Sequence, residues 1–289
     1  MRILVSGSTG YVGKRLINQL IKSDSNAIGL AGNTKVSSLG NSLRLSDFEE
    51  GIKKFCPEVV VNLAANVSKE FDKKSIEEIL VANVAFPQRL ALSALDAGCT
   101  RFINVSTYSI FADDGTYRPE TYYAASKKAN EDLLEYFHQN TKMKVLNLVF
   151  YDIYGPDQPH GRLLPKLVAA MKDGEEFHLS PGEQEINLLF VDDAVSGIIS
   201  AIQNPDVFSL EFSSKFCLYS ADTVKVKMLS SLITEALGFK SETIYYDAPY
   251  RHNQIMNFSP KNEMLPNWQP QTELKTGLVK SFGSKMDKL

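Results

Sequence analysis

Three glycines, Gly7, Gly10 and Gly13, follow the apolar run Arg2-Ile3-Leu4-Val5-Ser6 and open a segment with Val12, Leu16 and Leu20 at helical spacing. No other feature constrains the chain as tightly. A short apolar run ending in glycine reads as a buried parallel strand. The first glycine permits a tight turn, the second lets backbone approach a pyrophosphate, and the third lets helix and strand pack closely. The helix start offers free N–H groups and the positive end of its dipole to phosphates. The spacing alone is weak, because glycine turns also simply join strands to helices. Placed between a strand and an amphipathic helix, it reads as a nicotinamide dinucleotide site. Gly7, Ser8, Thr9, Gly10, Tyr11 and Val12 are its first candidate residues.

Strand and helix signals alternate through the next part of the chain. Short apolar strands are predicted at Ala27–Leu30, Glu58–Leu63, Arg101–Ser106 and Lys144–Phe150. Helices are predicted at Asp47–Phe55, with Ser46 as cap, and at Lys73–Ala97 and Tyr122–His138. The pattern predicts an α/β fold: a Rossmann-type, doubly wound parallel sheet over residues 1–155. A smaller α/β substrate lobe is expected over 156–289, with a return of the chain into the first domain allowed. Its helices are predicted at Leu163–Lys172, Asp192–Ile202 and Val224–Ala236. Its strands are expected near Asn187–Phe190, Lys215–Leu218 and Thr243–Tyr246. Proline marks loops near Pro249 and at Pro266–Pro270.

Composition excludes several classes. A net charge of -3 over 289 residues argues against a nucleic-acid binder. Cys56, Cys99 and Cys217 are scattered, so a reduced, cytoplasmic setting and no metal site are expected. The histidines His138, His160, His178 and His252 are equally dispersed and read as surface or packing residues. No signal peptide and no membrane span are visible.

Tyr123 and Lys127 form a Tyr-x-x-x-Lys pair on a predicted helix, so both side chains share one face. An ammonium beside a phenol favours the phenolate and equips the pair to move a proton. Thr107 follows a strand at the ligand side of the sheet, where its hydroxyl could meet a substrate oxygen. An ordinary strand-end hydroxyl explains it equally well.

The glycine turn, Thr107, Tyr123 and Lys127 together resemble the short-chain dehydrogenase/reductase superfamily over nearly the whole chain. Asn62-Leu63-Ala64-Ala65, Asn83, Tyr154-Gly155-Pro156 and Val191-Asp192-Asp193 resemble its extended branch, the NAD-dependent epimerase/dehydratase family. That resemblance implies Tyr123 as acid/base, Lys127 on the nicotinamide ribose and Thr107 orienting the substrate oxygen. It implies further cofactor contacts at Asn33, Thr34, Leu45, Leu63, Ala64, Ala65, Tyr151 and Ile153. Substrate contacts are implied at Asn66, Tyr108, Asp152, Arg162 and Arg251, with Asp152 in the place of a common asparagine. Asp192 and Asp193 read better as helix-capping residues than as chemistry.

The departures carry information. Dehydratases of this branch have Thr-Asp-Glu where this chain has Thr107-Tyr108-Ser109, which argues against a 4,6-dehydratase. Ile186-Asn187 replace a usual Arg-Asp, so a diphosphate contact is expected elsewhere, at Arg162 or Arg251. No acid stands in Ala31-Gly32-Asn33-Thr34-Lys35 to bind the adenosine ribose, which favours NADP(H) over NAD(H). An aspartate on the adenine side of many relatives is replaced by Arg44.

Tyr151–Pro156, Ser180–Gln184 and Pro249-Tyr250-Arg251 most resemble 4-ketoreductases of the CDP-abequose and CDP-paratose synthase type. The expected activity is reduction of a CDP- or dTDP-linked 4-keto-6-deoxyhexose by a homodimer. A nucleotide-sugar 4-epimerase with tightly held NAD and a non-catalytic dinucleotide-binding regulator are the alternatives.

Overall fold

The computed structural model describes residues 1–31, 42–159, 161–240 and 242–283. The first part alternates as expected: β1 (Arg2–Ser6), α1 (Tyr11–Lys22), β2 (Asn26–Ala31), β3 (Ser42–Arg44), α2 (Phe48–Phe55), β4 (Val59–Asn62), α3 (Lys73–Leu80), α4 (Phe86–Asp96), β5 (Arg101–Thr107), α5 (Tyr122–Asn140) and β6 (Lys144–Phe150). The remainder runs β7 (Asp152–Tyr154), α6 (Leu163–Asp173), β8 (Phe177–His178), β9 (Glu185–Phe190), α7 (Val191–Gln203), β10 (Ser214–Leu218), β11 (Thr223–Lys225), α8 (Leu229–Leu237), β12 (Ile244–Tyr245) and α9 (Leu274–Phe282).

Seven strands form one parallel sheet in the order β10-β6-β5-β4-β1-β2-β3. The chain winds outward from β1 in both directions, which opens a crevice at the carboxyl ends of β1 and β4. One sheet face packs Leu4, Val60 and Phe102 against Phe48, Leu90 and Leu134 of α2, α4 and α5. The other packs Ile3, Val5 and Val61 against Leu16 of α1 and Ile198 of α7. Each fully buried Leu or Ile contributes about 1.5–3 kcal/mol. The sheet of β11, β9 and β7 has its own core of Tyr154, Leu167, Phe190, Leu229 and Leu278. β10 returns the chain to the large sheet beside β6.

A buried polar ladder crosses the sheet. Ser6 Oγ donates to Asn62 Oδ1 at 2.7 Å, Asn62 Nδ2 to Asn104 Oδ1 at 3.1 Å, and Asn104 Nδ2 to Asn147 Oδ1 at 2.9 Å. These residues are register partners across β1, β4, β5 and β6. A one-residue slip would turn every amide to the other face, so the ladder specifies the register that aligns the carboxyl ends.

Several local expectations are corrected. Ser46 does not cap α2; its hydroxyl donates to Asp47 Oδ2 at 3.0 Å, and residues 45–47 form a 3₁₀ turn. The stretch Lys73–Ala97 contains a π turn at Val81–Ala85, where Asn83 is buried and hydrogen-bonded across helices. Val224–Ala236 is not one helix, because Thr223–Lys225 pairs antiparallel with β9 before α8 begins. Asp192 and Asp193 lie in the first turn of α7 without capping it. Asp192 instead meets Arg15 at 3.7 Å, and Asp193 accepts from Thr272 N at 2.9 Å.

Candidate active site

The glycine turn is packed as its spacing requires. Gly7 has φ +68°, and a Cβ there would lie 2.7 Å from Ala64 N. A Cβ on Gly13 would lie 2.1 Å from Gly7 O. The third glycine therefore packs against the turn itself. Ser8 Oγ donates to Leu30 O at 3.2 Å, tying the turn to β2. No side chain caps α1 at Gly10, and its first turn holds no acid. Its leading N–H groups are thus left for an anion, and the cradle fits a dinucleotide diphosphate.

Around this turn lie the other expected cofactor residues. Tyr11 stacks under the Arg15 guanidinium, 5.1 Å from its ring centre, and burial raises its phenol. Arg15 reaches Pro156 O at 2.6 Å, linking α1 to the segment after β7. Val12, Leu63 and Ile153 are partly buried against the core beside it. Thr9 is partly buried and Ala65 exposed, flanking the crevice. Leu45 begins the 3₁₀ turn after β3. Asn33 and Thr34, with Lys35, lie outside the described residues. Arg44 ends β3 as the register partner of Ala31, and its side chain is exposed.

Asn66 is clamped from both sides. Its N–H donates to Asn83 Oδ1 at 2.7 Å, and its carbonyl accepts from Asn83 Nδ2 at 2.9 Å. Asn83 Nδ2 also donates to Ser126 Oγ at 2.9 Å, and Ser126 Oγ donates to Tyr123 O at 2.7 Å. The π turn thereby joins the loop after β4 to the helix of Tyr123.

That helix starts at Thr121, whose Oγ1 caps Ala124 N at 3.2 Å. Tyr123 is partly buried in the first turn; Lys127, one turn on, is 2 % exposed. Burial pushes the Tyr123 phenol up to about 12, opposed by the Arg162 guanidinium. Burial drives Lys127 down to about 8, opposed by Glu131. The phenol is therefore shifted up by burial, not down toward a phenolate as the Tyr-x-x-x-Lys pair alone led one to expect.

Thr107 ends β5 and caps the turn 108–110, accepting from Ser109 N at 3.4 Å. With Tyr108, Tyr151 and Asp152 it lines a cavity closed by Ile255, Phe258 and Lys215. Tyr108 stacks on Tyr151 with ring centres 4.8 Å apart, and Phe258 meets Tyr151 edge-on at 4.9 Å. Tyr108 Oη donates to Asp152 Oδ2 at 3.0 Å. Burial raises the Asp152 carboxyl, against that hydrogen bond and the nearby cations Arg162, Lys69 and Arg251. Arg251 pairs with Glu120 at 3.4 Å.

Lys69 was not legible as a site residue in the sequence. Burial, then repulsion from Arg251 and Arg162, lowers its ammonium. Three cations from three chain segments thus converge beside Asp152. Only their spatial meeting distinguishes Lys69 from an ordinary surface lysine.

The NAD-dependent epimerase/dehydratase family model matches residues 3–210. The chain is 27% identical to a CDP-abequose synthase of Yersinia pseudotuberculosis over 213 residues, 71% of this chain and 74% of that one. It is 24% identical to a CDP-abequose synthase of Salmonella muenchen over 300 residues, 98% of each. Its fold matches that of MoeE5, solved with UDP-glucuronic acid and NAD, with a TM-score of 0.85, 21% identity and full coverage of both chains. The chain belongs to the NAD-dependent epimerase/dehydratase family.

Proposed function

We propose that the protein is an NADP(H)-dependent reductase of a nucleotide-linked 4-keto-6-deoxyhexose. The observation that carries this reading is a partly buried Tyr123 one helical turn from the buried Lys127, with no acid at positions 108 and 109, which hold Tyr108 and Ser109. A phenol that keeps its proton suits donation to a nascent alkoxide. The absence of acids at those two positions disfavours water elimination. The similarity to the Salmonella muenchen CDP-abequose synthase along 98% of both chains supports a CDP-linked sugar.

A nicotinamide dinucleotide with its diphosphate on the glycine turn would supply the hydride. Gly7–Val12, Leu63–Ala65, Tyr151, Ile153 and Lys127 would hold the dinucleotide. Tyr123 delivers the proton to the oxygen at C4. Thr107 orients that oxygen, and the Lys127 ammonium offsets its developing charge. Asn66, Tyr108 and Asp152 contact the sugar. Arg162 and Arg251 hold the diphosphate, a task suited to planar guanidinium groups. Arg44, exposed opposite Ala31, supports a 2′-phosphate on the adenosine ribose. Exposed Val81, Leu92, Leu133 and Tyr136 on the helices of residues 73–97 and 122–138 support a homodimer through that face.

The test is consumption of NADPH with CDP- or dTDP-4-keto-6-deoxyglucose. A 4-epimerase would instead purify with bound NAD and need no reductant. The structural match to a protein solved with NAD keeps that second reading in view.

A further inference from the structure

Lys127 has a neighbour whose charge is already engaged. Glu131 lies one turn further along α5 and is 6 % exposed. Its Oε1 accepts from Ser106 Oγ, on the strand residue before Thr107. Its Oε2 accepts from Lys215 Nζ at 2.8 Å. Lys215 comes from β10, a distant segment that returns to the large sheet, and its ammonium also lies 5.5 Å from the Phe111 ring centre. A lysine, a carboxylate and a second lysine thus form a line from the cavity wall to the Tyr123 helix.

We infer that Glu131 and Lys215 are positioning residues that set the charge of Lys127. A buried carboxylate four residues from a buried ammonium would otherwise clamp it and hold it fully protonated. Lys215 and Ser106 take up the carboxylate instead. Lys127 is left to feel burial first and Glu131 second, which brings its titration to about 8. The inference rests on the proposed reaction only in giving Lys127 something to do; its titration is a property of the free protein.

On α5 itself Lys128 pairs with Asp132, and Glu135 accepts from Gln139 and from Ser213 N. Tyr123 is on the same helix, with Arg162 acting on it. Tyr108, in the turn after β5, is engaged with Asp152. The π turn Val81–Ala85 contributes none. On α4, Arg89 pairs with Glu49 and Asp96 is the last residue. Arg101 and Lys144 are at the amino ends of β5 and β6, away from Thr107. Lys73, Lys74, Glu77 and Glu78 of α3 are exposed.

The two partners act in opposite directions. Glu131→Gln removes the attraction and lowers the Lys127 midpoint. Lys215→Met frees the Glu131 charge and raises it, in each case by about one pH unit. Lys215→Arg keeps the midpoint in place. The experiment is a lysine 13Cε NMR titration of the free protein, with the Lys127 resonance assigned through Lys127→Met. Cofactor and sugar are absent, so failure of the proposed reaction leaves the outcome readable. Opposite shifts in the two variants support the inference. Shifts of the same sign, or none, overturn it. Should Glu131→Gln fail to fold, Lys215→Met against Lys215→Arg still decides: a raised midpoint only in the methionine variant is expected, and equal midpoints contradict.

Discussion

Tyr108 Oη donates to Asp152 Oδ2 at 3.0 Å, joining the turn after β5 to the first residue of β7 at the floor of the cavity. Tyr108→Phe removes that donor and leaves a desolvated carboxyl short of a partner. Unfolding in urea should show a loss of about 1–3 kcal/mol. Adding Asp152→Asn should recover part of it, because a neutral amide costs less to bury than a carboxylate. Equal stability of wild type and Tyr108→Phe would show that the bond contributes nothing.

The asparagine ladder carries a penalty of similar size, spread over three partners. Asn104 serves Asn62, Asn147 and Asn130 at once, with Asn130 Nδ2 donating to Asn104 Oδ1 at 3.0 Å. Asn104→Leu takes one hydrogen-bond partner from each of three buried amides. A loss of at least about 2 kcal/mol is expected, with the denaturant slope unchanged.

Lys127 binds its proton less tightly in the folded chain than in the unfolded one. Between about pH 8 and the ordinary lysine value the unfolded chain therefore holds more protons, and folding stability rises with pH. Below that window both states are protonated, and the burial cost is constant. Lys127→Met removes the cost. At pH 7 this variant should be more stable by roughly 1–3 kcal/mol, and the advantage should shrink above pH 8. In the proposed reaction, NADPH oxidation should be lost in this variant. Thermal unfolding across pH tests the sign.

Arg44 is one side chain through which the proposed reading favours NADPH over NADH. Arg44→Ala should weaken NADPH binding about tenfold, the scale of one charge-assisted contact. NADH binding should stay within about twofold by calorimetry. Equal losses for both cofactors would remove Arg44 from the 2′-phosphate.

Most of the first half was legible because its signals are local. The β1 run, the glycine turn and the Val59–Asn62 strand announce a buried parallel sheet through apolar runs and punctuation. Tyr123 and Lys127 were legible because one helix carries both. The second half was harder. β7, β8, β11 and β12 are two or three residues long and depend on partners distant in sequence. The apolar contacts of Leu274, Leu278 and Phe282 stabilise α9, which its short sequence did not announce. Lys69 and Lys215 acquire meaning only when separate segments meet. Glu131, four residues beyond Lys127, likewise acquires its role only where Ser106 and Lys215 meet it.

In the proposed reaction Tyr123 protonates the C4 oxygen as a 4-keto sugar is reduced. Its most direct test is the rate of NADPH oxidation with CDP-4-keto-6-deoxyglucose, wild type against Tyr123→Phe. Stoichiometric oxidation is expected, slowed about a hundredfold or more in the variant at unchanged cofactor affinity. Full activity in Tyr123→Phe, or no oxidation with any CDP- or dTDP-linked 4-keto sugar, would contradict it.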